Sequence, residues 1–178
     1  MKENRKKGFS MIELIVVVAL IGIFTALATI AFGYIKSGNI KSTAKTIDST
    51  LNKLKLDTMS KEKKPYMCIY KDGDDYYMLC TTNANEAPTS DNGQRIGNGN
   101  VSIKVDDATV GVNDKVYIAF KKGSGTFAES INADNPKNTI HKGKSSKADI
   151  VVESADGDGT SYVIHLIKDT GKHYIEIK

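Results

Sequence analysis

Residues 14–35 form a run of 22 positions without a charge, and a single carboxylate, Glu13, stands at its start. As a helix that run is roughly 33 Å long, enough to cross a bilayer. Few folds accept such a segment: it lies in lipid or is enclosed by other protein. A lone Glu beside it needs a reason, because an unpaired carboxylate in hydrocarbon costs about 2–3 kcal/mol or more. Ahead of it stands a short basic leader ending in Lys6-Lys7-Gly8-Phe9.

A secretory signal has an apolar core of roughly 7–15 residues followed by a small-residue cleavage site. Here the apolar run is longer, and the small residue at the polarity boundary, Gly8, precedes it. A cut after Gly8 would discard the leader and keep the helix. The alternative, an uncleaved single-pass anchor, explains neither Glu13 nor the Gly-Phe junction. The leader carries Lys2, Arg5, Lys6 and Lys7 against Glu3, a net of +3 out of +4 for the whole chain. Those cations are also a positive-inside signal, from which a cytoplasmic N-terminus is expected, with everything past Ile35 outside the cytoplasmic membrane.

At Lys6-Lys7-Gly8, Phe9 and Glu13, followed by the aliphatic run, the chain resembles the type IV pilin family, including the pseudopilins of secretion and competence systems. The resemblance covers about 30 residues, with the mechanism of a membrane-embedded cleavage site. It implies that prepilin peptidase cuts between Gly8 and Phe9 and that the new amine of Phe9 is methylated. It implies that Glu13 pairs with the Phe9 amine of a neighbouring subunit during assembly, a registry role that buried ion pairs can fill. It implies as partners other pilin subunits, the peptidase, a cytoplasmic-membrane assembly platform and, before assembly, membrane lipid. Many major pilins have a proline midway along this helix. None is present here, which fits a minor pilin or pseudopilin better.

Beyond the membrane segment, Ile40, Ala44, Ile47, Leu51 and Leu54 recur at helical spacing, with Leu56 and Met59 widening the stripe. One amphipathic helix is expected to continue to about residue 62, before Pro65. The stripe is expected to pack on the chain's own head domain. The sequence then changes period. Residues 66–70 and 76–81 flank a turn-rich 71–75, and 148–153 and 160–167 flank Asp156-Gly157-Asp158-Gly159, both hairpin signals. Residues 101–105, 115–121 and 172–178 read as further strands, and 83–100 and 132–147 as loops. The expected fold class is α+β: a long N-terminal helix, half membrane-spanning and half amphipathic, on a small antiparallel β domain. The expected divisions are 1–8 (leader), 9–35 (membrane or filament-core helix), 36–64 (amphipathic continuation) and 65–178 (extracytoplasmic head). The order of parts also resembles minor pilins of the FimT/GspH type, in which the helix carries two small sheets.

Catalysis has little support. His141, His165 and His173 are scattered, and His165 alternates with apolar residues, as a strand surface residue would. Neither cysteine has a nearby His–Asp arrangement. Asp156-x-Asp158-x-Thr160 begins like a calcium loop, but Ser161 stands where the sharp-turn glycine belongs and Ile167 where the bidentate Glu belongs. Asp72, Asp74 and Asp75 read as a turn cluster. No cofactor, metal or enzymatic activity is expected. Cys68 and Cys80 lie on the side where disulfides persist. They would face each other across a hairpin with a three- or five-residue loop, and would miss with a two- or four-residue loop.

The charge beyond the membrane is uneven. Residues 36–64 carry a net of +5 and residues 65–178 a net of −3. Lys137, His141, Lys142, Lys144 and Lys147 cluster in one loop, the best candidate for contact with DNA, since some FimT-type pilins bind DNA during uptake. An acidic head with no aromatic in that loop argues for a solvated loop instead. The expected function is therefore a structural filament subunit. The alternatives are a DNA-binding competence pilin and a membrane-anchored binding domain that does not polymerise.

Overall fold

The computed structural model describes residues 10–62, 64–83, 86–129 and 146–178, apart from the side chains of residues 29–32. The chain divides into two units, Met1–Ile35 and Lys36–Lys178. Helix α1 covers Met11–Ser60. In the first unit its described side chains beyond Glu13 are apolar except Thr25, and they are exposed: Leu14, Ile15, Leu20, Ile21 and Phe24 are each 48–67% accessible. It is the one helix among the described residues long and apolar enough to cross a membrane.

The second unit is α+β. Among the described residues, nine strands follow residues 36–60 of α1: β1 (Tyr66–Asp72), β2 (Asp75–Thr81), β3 (Gln94–Gly97), β4 (Val101–Val105), β5 (Ala108–Thr109), β6 (Lys115–Ala119), β7 (Lys147–Ser154), β8 (Tyr162–Ile167) and β9 (Lys172–Ile177). They form two antiparallel sheets, ordered β3-β2-β1-β6 and β5-β4-β7-β8-β9. Ile40, Ala44, Ile47, Leu51 and Leu54 of α1 are all buried, as their spacing predicts. They share one core with Met67, Ile69, Met78 and Ile118 of the first sheet and Ile103, Ile150, Val152, Ile164 and Leu166 of the second. Leu56 and Met59 do not widen the stripe. Both are exposed, and Thr43 and Thr58 are buried instead. The two threonines tolerate burial because Thr43 Oγ1 donates to the Ile96 carbonyl (2.5 Å) and Thr58 Oγ1 to the Leu54 carbonyl (2.7 Å).

Strands β3 and β5 were not legible. β3 is Gln94-Arg95-Ile96-Gly97, with one apolar side chain, and β5 is two residues long. Each is an edge strand held by pairing to a neighbour, so neither shows an alternating pattern. The first sheet is also covered on its far face. Tyr66, Cys68, Tyr70 and Leu79 are buried there with Tyr77 and Tyr117. The tyrosine hydroxyls stay satisfied by donating to loop carbonyls, Tyr66 to Asn83 (3.0 Å) and Tyr70 to Thr89 (2.6 Å).

The β8–β9 turn is tied to the rest of the unit through Gly171. Its φ is +62°, and an added Cβ would lie 1.9 Å from the Gly125 carbonyl oxygen. Lys55 of α1 donates to the Gly171 carbonyl (3.0 Å), and Phe127 N–H donates to the Lys168 carbonyl (3.2 Å). Only glycine combines that φ with so close an approach.

Candidate functional site

The site begins where α1 begins. The first N–H groups of a helix have no partner inside it and must find acceptors elsewhere. Ser10 and Glu13 supply them reciprocally. Ser10 Oγ accepts from the Ile12 N–H (3.2 Å), and Glu13 Oε2 accepts from the Ser10 N–H (3.2 Å). The Leu14 N–H donates to the Ser10 carbonyl (3.2 Å), closing the first turn. This is a variant of the capping box: Glu13 reaches back to the Ser10 N–H, while the Ser10 hydroxyl takes the N–H of Ile12 instead of that of Glu13. Its signal, Ser10-Met11-Ile12-Glu13 directly before an apolar run, is local and present in the sequence, beyond the pairing role expected of Glu13. Glu13 is thus held against the first turn, its carboxylate close to where the chain enters the helix. A carboxylate there is also favoured by the positive end of the helix dipole.

Gly8 and Phe9 lie outside the described residues, as do Lys137, His141, Lys142 and Lys144. Lys147 is described: it opens β7 and is exposed. The sequence-predicted nucleic-acid loop is therefore represented by one cation at a strand end.

The two cysteines do not meet. The β1–β2 hairpin has a two-residue loop, Gly73-Asp74, with Gly73 at φ 60°, where a first-position glycine suits a tight turn. That register sets Cys68 opposite Leu79 and Cys80 opposite Met67. Opposite residues share a face, so the two thiols point to opposite sides of the sheet. Both are free: Cys68 is buried in the tyrosine-lined cluster and Cys80 is exposed. Burial pushes the Cys68 thiol up to about 12, and burial likewise raises Cys80. Neither is an activated nucleophile, which would need a lowered value. Cys80 lies on a groove of about 550 Å³ between α1 and the end of β2, with Lys53, Asp57 and Gln94 on its walls.

The remaining acidic turn is engaged by a neighbour. Asp156 pairs with Lys36 of α1, and Gly157 and Gly159 take positive φ, as a tight strand connection requires. Among the described residues no three His, Cys, Asp or Glu side chains are grouped to hold a metal ion.

Residues 4–29 match the model of the prokaryotic N-terminal methylation motif. Comparison of the chain with curated proteins and with solved structures yields no match. The motif spans the basic leader, the Gly8-Phe9 junction, the capped start of α1 and the first part of its charge-free run. Proteins carrying it are structural rather than enzymatic, are processed by prepilin peptidase and associate with other pilin subunits. Over these residues the chain is similar to prepilin-type N-termini, and the exposed apolar helix that follows fits membrane anchoring.

Proposed function

We propose that this protein is a minor pilin or pseudopilin, cleaved between Gly8 and Phe9, methylated at Phe9 and assembled into a filament by lateral packing of α1. The observation that carries the reading is the methylation motif at residues 4–29 on a helix whose first unit is apolar and exposed. Before assembly the N-terminus is cytoplasmic, residues 9–35 lie in lipid, and residues 36–178 lie outside. The cationic leader sets that orientation. On assembly, helix–helix contacts replace lipid contacts. Glu13 then exchanges its local partner, the Ser10 N–H, for the Phe9 amine of a neighbour, which neutralises both charges. The unkinked composition of α1 and two small sheets on one helix support a FimT/GspH-type minor subunit over a major one.

Mass spectrometry of the protein from membranes and from sheared filaments tests the reading. The expected mature chain begins at a methylated Phe9. A Cβ at position 8 obstructs the extended peptide in the protease, so Gly8→Val accumulates full-length protein and contributes none to filaments. Normal cleavage of that variant overturns the assignment. Glu13→Val removes a charge that is costly in lipid, so it inserts normally. It nonetheless fails to enter filaments at the wild-type level. Wild-type incorporation would remove the pairing role.

A further inference from the structure

The outer face of the five-stranded sheet, away from α1, carries a three-strand ionic cluster. His165 of β8 stands opposite Asp149 of β7 and opposite Tyr174 of β9. Its Nδ1 is 2.7 Å from Asp149 Oδ1, and its Nε2 is 2.8 Å from Glu176 Oε2 of β9. Carboxylates only accept, so both ring nitrogens must donate, and imidazole can do that only as the cation. The Tyr174 ring packs against the imidazole at 4.9 Å. Asp149 is itself fixed, its N–H donating to Asp106 Oδ1 (3.1 Å) from the β4–β5 turn. By register, Lys147 of β7 and Lys172 of β9 share this face one pair further along.

The opposite face of β9 has the reverse demand. His173 is opposite Leu166, its side chain is 4% accessible, and neither ring nitrogen has a hydrogen-bond partner. Asp48 of α1 is 3.7 Å from Nε2, beyond hydrogen-bond range, and Lys55 of α1 is the nearby cation. This imidazole is tolerated neutral.

We propose that β9 is a proton-dependent clasp: cationic His165 ties Asp149 of β7 to Glu176 of the C-terminal strand, which loosens when that proton leaves. Burial alone would lower His165, but its hydrogen bonds to Glu176 and Asp149 outweigh burial and raise it above 6.5. A raised histidine contributes fully below its unfolded value and loses that contribution as pH rises through the folded one. His173 is lowered by burial, with Asp48 and the Gly171 backbone only partly offsetting and Lys55 adding to the lowering. Its contribution is present above 6.5 and is lost as pH falls through its folded value. Glu176, lowered by its hydrogen bond to His165, adds a further loss at still lower pH. The C-terminal strand is therefore held most firmly between these limits and releases on either side. This holds whatever happens to the N-terminus, because every group involved lies in the second unit.

Amide hydrogen-exchange protection of the full chain in detergent micelles tests it, with β1 and β2 as the internal reference. Between about pH 6 and about pH 8, relative protection of β9 is expected to fall about two- to fivefold, the range that partly exposed ion pairs support. His165→Gln removes that dependence. Ring-carbon NMR of the wild type reads His165 directly and does not depend on any variant folding; its midpoint is expected above the ordinary histidine value. A pH-independent β9, a dependence that survives in His165→Gln, or a His165 midpoint below the ordinary value overturns the clasp.

Discussion

The two ends of helix α1 share one secondary structure and have opposite surfaces. In residues 14–28, large aliphatic side chains point in every direction and are exposed. In residues 40–54, the apolar positions form a single stripe and are buried, with Lys41 and Lys45 exposed beside them. A helix that is apolar all round must find its partner outside the chain, in lipid or in copies of itself. A helix apolar on one face finds it inside. The difference separates the part of the helix that needs a partner outside the chain from the part that keeps the second unit folded. It also explains how one element can sit in two compact units without conflict.

Substituting matched leucines tests that contrast most strongly. Leu51 is fully buried and Leu20 is 48% exposed. Leu51→Ala is expected to destabilise the head by about 2–5 kcal/mol, the cost of lost burial plus a cavity. Leu20→Ala is expected to leave the head's melting midpoint in detergent unchanged and to lower filament yield. Equal melting shifts for the two would erase the distinction between the halves.

A smaller effect sharpens the account of the N-terminal end. Ser10→Ala removes the acceptor for the Ile12 N–H and should cost about 1 kcal/mol of first-turn stability. Exchange of the amides of residues 12–14 should rise, whereas exchange at 40–54 should not. Because Glu13 is then less firmly held, filament incorporation should fall less than in Glu13→Val. Incorporation as poor as Glu13→Val would make the capping box, rather than the carboxylate's pairing with a neighbour, the element that matters.

The smallest expected effect concerns the cysteines, and here the expectation is none. Reductant should leave the melting midpoint of the head unchanged, since no bridge closes the β1–β2 hairpin. A thiol reagent should modify Cys80 in the folded protein and reach Cys68 only on unfolding. A reductant-sensitive midpoint would require a different register in that hairpin.

The N-terminal motif was the part most legible in sequence. The leader, the Gly8-Phe9 junction, Glu13 and the aliphatic run are all local, and each carries its physical meaning without a fold around it. The capping interaction is equally local, but assigning Glu13 to pairing alone does not reveal it. The head was legible where strands are long and half-buried: residues 101–105 alternate in sequence and in burial. It was illegible where an edge strand is short and polar, as in β3.

Sequence by itself determined the α+β class, the extent of α1, the stripe from Ile40 to Leu54 and the strands with a clear period. These follow from spacing, since a helix repeats every 3.6 residues and a strand every 2. Tertiary structure alone decided three things. It decided that the β1–β2 loop has two residues, so that one step of register sends Cys68 and Cys80 to opposite faces. It decided that Thr58 rather than Met59 completes the buried side of α1. It also brought Asp149, His165 and Glu176 together from three strands, while burying His173 of the same sheet with Asp48 at 3.7 Å, outside hydrogen-bond range. Those outcomes depend on turn length and on which residues then stand opposite one another across paired strands, and no period within a single strand encodes that.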